Sequence, residues 1–146
     1  MSSSTSTPSY PADIKVRPEV QAFISDFFKL SDTPGQHDEY VDRFTKDATF
    51  ILASKVSKGT DEIRATREGM WSAVASRKHT VHQVFPFGND ATEVMMYGIV
   101  DLGLKAGGNM LSEWAAHAKL DFSGDKGRLS FYQVYLDTGA KNPYKK

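Results

Sequence analysis

Residues 79–137 carry four long runs, HTVHQVFPF (79–87), TEVMMYGIVDLGL (92–104), MLSEWAAHAKLDF (110–122) and RLSFYQVYLD (128–137), separated by GND, KAGGN and SGDKG. The runs are rich in β-branched and aromatic residues, and the separators are rich in Gly, Asp and Asn. That combination predicts strands joined by tight antiparallel hairpins. Side chains alternate along a strand, so in the third run Trp114, Ala116, Ala118 and Leu120 form one face, opposed by Glu113, His117, Lys119 and Asp121. The apolar set must face the core. In the second run both sets are largely apolar: Val94, Met96, Gly98 and Val100 against Met95, Tyr97 and Ile99. A strand apolar on two faces predicts a second cover, and a homodimer is the expected source.

Upstream of these strands the periodicity is helical. From Pro18, the residues Val20, Phe23, Ile24, Phe27 and Phe28 fall at helical spacing, and Pro18 suits a first turn. SDTPG (31–35) ends that helix, and HDEYVDRF (37–44) predicts a short second one. ATFILAS (48–54) reads as a first strand. Thr60, with Asp61 and Glu62 in the opening turn, predicts a third helix running to about Ala75. Helices first and a strand meander after signal segregated α+β, with three N-terminal helices and an antiparallel sheet. One domain over 17–138 is expected, with flexible tails at 1–16, which is rich in Ser, Thr and Pro, and at 139–146.

Composition narrows the function. Lys plus Arg and Asp plus Glu are each 18, which gives no net field toward nucleic acid or an anionic membrane. No apolar run reaches membrane length. Cysteine is absent, which removes thiol nucleophiles and thiolate metal sites. The start MSSSTSTPSYPAD lacks a charged n-region and an apolar h-region, so a cytoplasmic protein is expected. No Gly-rich phosphate loop, Ser/His/Asp order or cofactor fingerprint is visible, and the protein is read as cofactor-free.

The small residues Gly98, Ala116 and Ala118 among large ones on the inner face leave room for an apolar pocket bounded by Trp114, Met96 and the aromatic first helix. Bulky helix side chains filling that room is the competing reading. His79 begins a strand on the cavity side and is of a type suited to acid or base work near neutral pH. Gln83 shares its strand parity and is placed to orient a ligand carbonyl. Asp42 is the carboxylate nearest the expected pocket and Tyr40 the nearest phenol, although an i, i+4 pair of Asp42 with Lys46 competes. His79 and His82 form an HxxH pair, but on a strand these point to opposite sides, so no metal site is expected.

Four motifs resemble the SnoaL-like branch of the nuclear-transport-factor-2-like superfamily over roughly 17–138. They are DEYVDRFTKDATFI (38–51), KGTDEIRA (58–65), RKHTVHQVF (77–85), and the paired strands EVMMYGIVDLGLKAGG (93–108) and WAAHAKLDF (114–122). The closing FYQVYLDTGAKNP (131–143) resembles uncharacterised fungal members. The resemblance implies a cone-shaped fold that holds ketosteroid isomerases, scytalone dehydratase and polyketide cyclases among many others, so residues rather than fold must decide the activity. The general-base Asp of ketosteroid isomerases corresponds to Leu52 here, and of the two histidines of scytalone dehydratase His79 matches the first while Gly98 stands at the second. The resulting expectation is a pocket for a small apolar metabolite, shaped by Trp114, Met96 and Leu52. His79 would act in an isomerisation, dehydration or cyclisation. The alternatives are a non-catalytic binding protein and a dimeric interaction module.

Overall fold

The computed structural model describes residues 7–136. The expected tails at 1–6 and 139–146, and the end of the 131–143 motif, lie outside the described residues. Helix α1 (Pro18–Ser31) opens with Pro18 in its first turn and buries Val20, Phe23, Ile24, Phe27, Phe28 and Ser31, one stripe at helical spacing. Gly35 and Gln36 then take left-handed backbone conformations that turn the chain into α2 (His37–Asp42). Strand β1 (Phe44–Leu52) starts four residues before the predicted position, and KVSK, for which the sequence predicts no element, forms β2 (Lys55–Lys58) as its hairpin partner. Helix α3 (Gly59–Gly69) follows those two strands, so the helices are not all N-terminal to the sheet. No side-chain cap from Thr60 forms; instead the Lys58 backbone N–H donates to the Glu62 carboxylate at 2.8 Å. The helix stops at Gly69, because the Trp71–Ser72 turn leads directly into β3 (Val74–Pro86).

Strands β4 (Glu93–Leu104), β5 (Asn109–Asp121) and β6 (Arg128–Leu136) complete a six-stranded sheet in the order β2-β1-β6-β5-β4-β3. The sheet is mixed, not purely antiparallel: β1 and β6 run parallel, with Phe50 opposite Tyr132 and Leu52 opposite Val134. Given the antiparallel pairing elsewhere, β2 and β3 run in the same direction at opposite edges, and α3 carries the chain between them. Residues 7–16 do not hang free of this frame. Ser9 exchanges backbone hydrogen bonds with β3, donating to the His82 carbonyl and accepting from the Val84 N–H, and Tyr10 packs against the core.

The core is aromatic at its centre. The Phe27 ring lies 5.4 Å from both Tyr40 and Tyr132, 5.5 Å from Phe28 and 6.0 Å from Phe44, mostly in tilted or edge-on contacts. As the alternation predicted, Trp114, Ala116, Ala118 and Leu120 of β5 are buried, together with Val94, Met96 and Val100 of β4. On the opposite face Met95 and Tyr97 remain 41% and 40% exposed. Among the described residues no helix is long and apolar enough to cross a membrane.

Candidate functional site

A cavity of about 440 Å³ opens between α1, α2 and the sheet end formed by β1 and β3 to β6, in the size range of small-molecule sites. Most of its wall is apolar, with Phe50, Leu52, Val100, Leu102 and Trp114 contributing. Its polar groups are Ser31, Tyr40, Arg77, His79, Ser112 and Tyr132. The sequence expected room near Gly98, Ala116 and Ala118; the structure fills that end and leaves the space further along the strands. Ala116 and Ala118 belong to the packed core. A Cβ added to Gly98 would collide with the Thr80 carbonyl oxygen and sit 3.1 Å from the Trp114 ring. A side chain at this position would have to displace the β3 backbone, so glycine is required here.

His79 lies at the cavity wall, its ring 4.9 Å from Phe28 and 5.7 Å from Trp114. It has a partner that strand pattern did not reveal. The Asp32 carboxylate accepts from the His79 backbone N–H at 2.9 Å, and its other oxygen meets His79 Nδ1 at 2.5 Å. Backbone and ring are gripped together, which fixes the imidazole orientation and leaves Nε2 without a hydrogen-bond partner among the described residues. Asp32 is the C-cap of α1. A carboxylate there faces the negative end of the helix dipole, and that local disadvantage was the readable sign that Asp32 serves another group.

Two phenols share the cavity. Burial pushes the Tyr40 hydroxyl well above the usual tyrosine range, against the opposing pull of Arg67 and Arg77, and burial likewise raises Tyr132. Both are therefore neutral hydrogen-bond donors at neutral pH. Behind Tyr40 lies Arg67, 0% exposed, with its guanidinium 4.5 Å from the Tyr40 ring. It donates to the carbonyls of Ser31 (2.8 Å), Thr33 (2.7 Å) and Gly35 (2.9 Å) and to His37 Nδ1 (3.2 Å), tying α3 to the turn that holds Asp32. Its position four residues after Ile63 on the buried face of α3 was the available signal.

The other expected site residues divide. Leu52, Trp114 and Tyr40 line the cavity with His79. Met96 does not; it is 3% exposed and packed in the core. Gln83 points away because a β-bulge between Val81 and Gln83 inserts one residue into β3, so that parity with His79 no longer holds. Gln83 is exposed and accepts from the Tyr97 hydroxyl at 3.1 Å. Asp42 lies outside the cavity, paired with Lys126 at 2.7 Å and Arg128 at 3.0 Å rather than with Lys46. Hydrogen bonds from Lys126 and then Arg128 lower its pKa.

No family model and no curated protein matches this sequence. Solved structures do match. A Novosphingobium aromaticivorans protein provisionally named an aromatic ring hydroxylase superposes with a TM-score of 0.73 at 17% identity, over 81% of this chain and 86% of that one. A Shewanella putrefaciens protein provisionally named a SnoaL-like polyketide cyclase gives 0.69 at 14% identity, over 83% and 91%. Nuclear transport factor 2 from Cryptosporidium parvum gives 0.68 at 11% identity, over 86% and 100%. At such identities the likeness reaches the fold and stops short of the chemistry. The chain has the nuclear-transport-factor-2-like fold.

Proposed function

We infer that this protein binds a small, flat, mostly apolar molecule and moves a proton on it without a cofactor, in an isomerisation, dehydration or cyclisation. The observation that carries this reading is the Asp32–His79 pair at the wall of a largely apolar cavity. An imidazole held through Nδ1 by a carboxylate presents Nε2 as a base, and the carboxylate steadies the imidazolium that forms. In the proposed cycle His79 Nε2 takes a proton from carbon next to a carbonyl, whose oxygen takes up the charge as an enolate. Tyr40 or Tyr132 donates a hydrogen bond to the oxygen on which charge develops. The imidazolium then returns the proton, to a second carbon in an isomerisation or to a departing hydroxyl in a dehydration. Leu52 and Trp114 set the shape of the wall.

A panel of aromatic polyketides, terpenoids and steroids tests this by thermal shift followed by turnover. The expected result is a concentration-dependent rise in melting temperature for at least one class. Asp32→Asn should keep that rise and lower turnover by about 100-fold or more. Binding with no turnover in the native protein would favour a carrier. Turnover indifferent to both Asp32→Asn and His79→Ala would refute the assignment.

The outer face of the sheet supports a dimer as part of the same proposal. Phe85, Met95, Tyr97 and Tyr135 are exposed there, and the Phe85 and Tyr97 rings stack 6.2 Å apart.

A further inference from the structure

Two guanidinium groups lie close together, Arg77 at the cavity wall and Arg67 buried against the Tyr40 ring, and neither has a carboxylate within ion-pair distance among the described residues. Both sit against Trp71, with Arg67 5.4 Å and Arg77 5.0 Å from its ring. Burial lowers the pKa of each, and the two charges oppose one another. One carboxylate, Asp32, favours the charge of both arginines but pairs directly with neither, its oxygens being bonded to His79, so two cations face a single anion. The interior therefore carries an excess of positive charge.

The two arginines differ in how they are satisfied. Arg67 is surrounded by carbonyls and is a structural tie. Arg77 lines the cavity, donates through Nη2 to the Met70 carbonyl at 2.9 Å, and keeps Nη1 buried with no acceptor. A buried guanidinium donor without a partner is uncommon, since such groups are ordinarily paired. It sits at the edge of a ligand-sized space whose wall is mostly apolar and aromatic and whose other polar groups, Ser31, Tyr40, His79, Ser112 and Tyr132, carry no fixed charge of their own. A planar fork of donors matches a carboxylate better than any neutral oxygen.

We propose that the molecule this cavity accepts is a carboxylic acid on a flat apolar frame, with its carboxylate held by Arg77 and its frame against Trp114 and Leu52. This deepens the functional reading above and rests on its pocket. The anion completes the hydrogen bonding of Arg77 and offsets the paired positive charges behind Trp71. With the carboxylate anchored there, the frame extends toward His79, which lines the same cavity.

The test is a calorimetric titration of the full chain with 2-naphthoic acid and with 2-naphthamide, which have the same shape and differ in charge. The acid should bind at least about tenfold more tightly than the amide. Arg77→Gln should abolish that preference, and Arg77→Lys should retain the charge and part of it. Thermal melts confirm that each variant folds; if Arg77→Gln does not, the native acid-to-amide ratio and its reduction in Arg77→Lys decide. Equal binding of acid and amide overturns the carboxylate inference while leaving the pocket in place. So does a preference untouched in Arg77→Gln. Binding of neither compound overturns the pocket reading and this inference together.

Discussion

Replacing Arg67 by Met tests whether the turn holding Asp32 depends on one buried cation. The variant retains an unbranched side chain of similar length but no donor. Three short bonds are lost, to the carbonyls of Ser31, Thr33 and Gly35 at 2.7 to 2.9 Å, along with the stack on Tyr40. A hydrogen bond to a charged group contributes about 1.5–3 kcal/mol net, and an acceptor left bare in the interior costs about 1–3 kcal/mol. Water can reach the partly buried Thr33 and Gly35 carbonyls, so the losses do not simply add. A total of about 3–5 kcal/mol is expected, a large share of the ~5–15 kcal/mol that holds a domain folded. For a chain of this size that corresponds to a fall in Tm of about 10–15 °C. Urea unfolding followed by circular dichroism measures it, with an unchanged m-value confirming that the folded state alone is affected. Arg67→Lys should fall between, because an ammonium cannot span the same carbonyls. A loss below about 1 kcal/mol for Arg67→Met would show that the turn holds itself and that the guanidinium network is incidental.

Gly98→Ala should lower stability by about 3 kcal/mol or more, since the new Cβ meets the Thr80 backbone, which cannot yield as a side chain would; a melting temperature within one degree of the native protein would contradict the close approach of β3 and β4. For the outer face, light scattering should give a mass twice that of one chain, and Tyr97→Glu should return it to the monomer value. A native monomer at high concentration would remove the dimer.

The sequence made the sheet's inner and outer faces legible because alternation is local: each residue of β4 and β5 declares its side through its neighbours two positions away. The same locality explains why His79, Trp114, Leu52 and Tyr40 were identified as neighbours of one cavity, as all lie on regular stretches with apolar company. It also explains the failures. Alternation counted in twos through β3 puts Gln83 on the His79 side, but the bulge before it is fixed by pairing with β4, and nothing in VHQVF marks it. Met96 lies on the face that carries the pocket, but the packing of α1 decides how far along the strand the filled region extends. KVSK is too short and polar to declare itself a strand without β1 beside it.

The chemical core of the site was least legible because its members are remote in the chain. Asp32 and His79 stand 47 residues apart, and Arg67 reaches carbonyls 32 to 36 residues before it. By itself the sequence determined the α+β class, the strand count after α3, the buried stripe of α1 and the inner face on which His79 lies. Those properties follow from periodicity within single elements. Only the tertiary structure decided that β1 pairs in parallel with β6, that the space near Gly98 is filled, and that His79 is gripped by a helix-capping aspartate. Each of these depends on where two separately folded segments meet, and that is a property of packing rather than of any one stretch of chain.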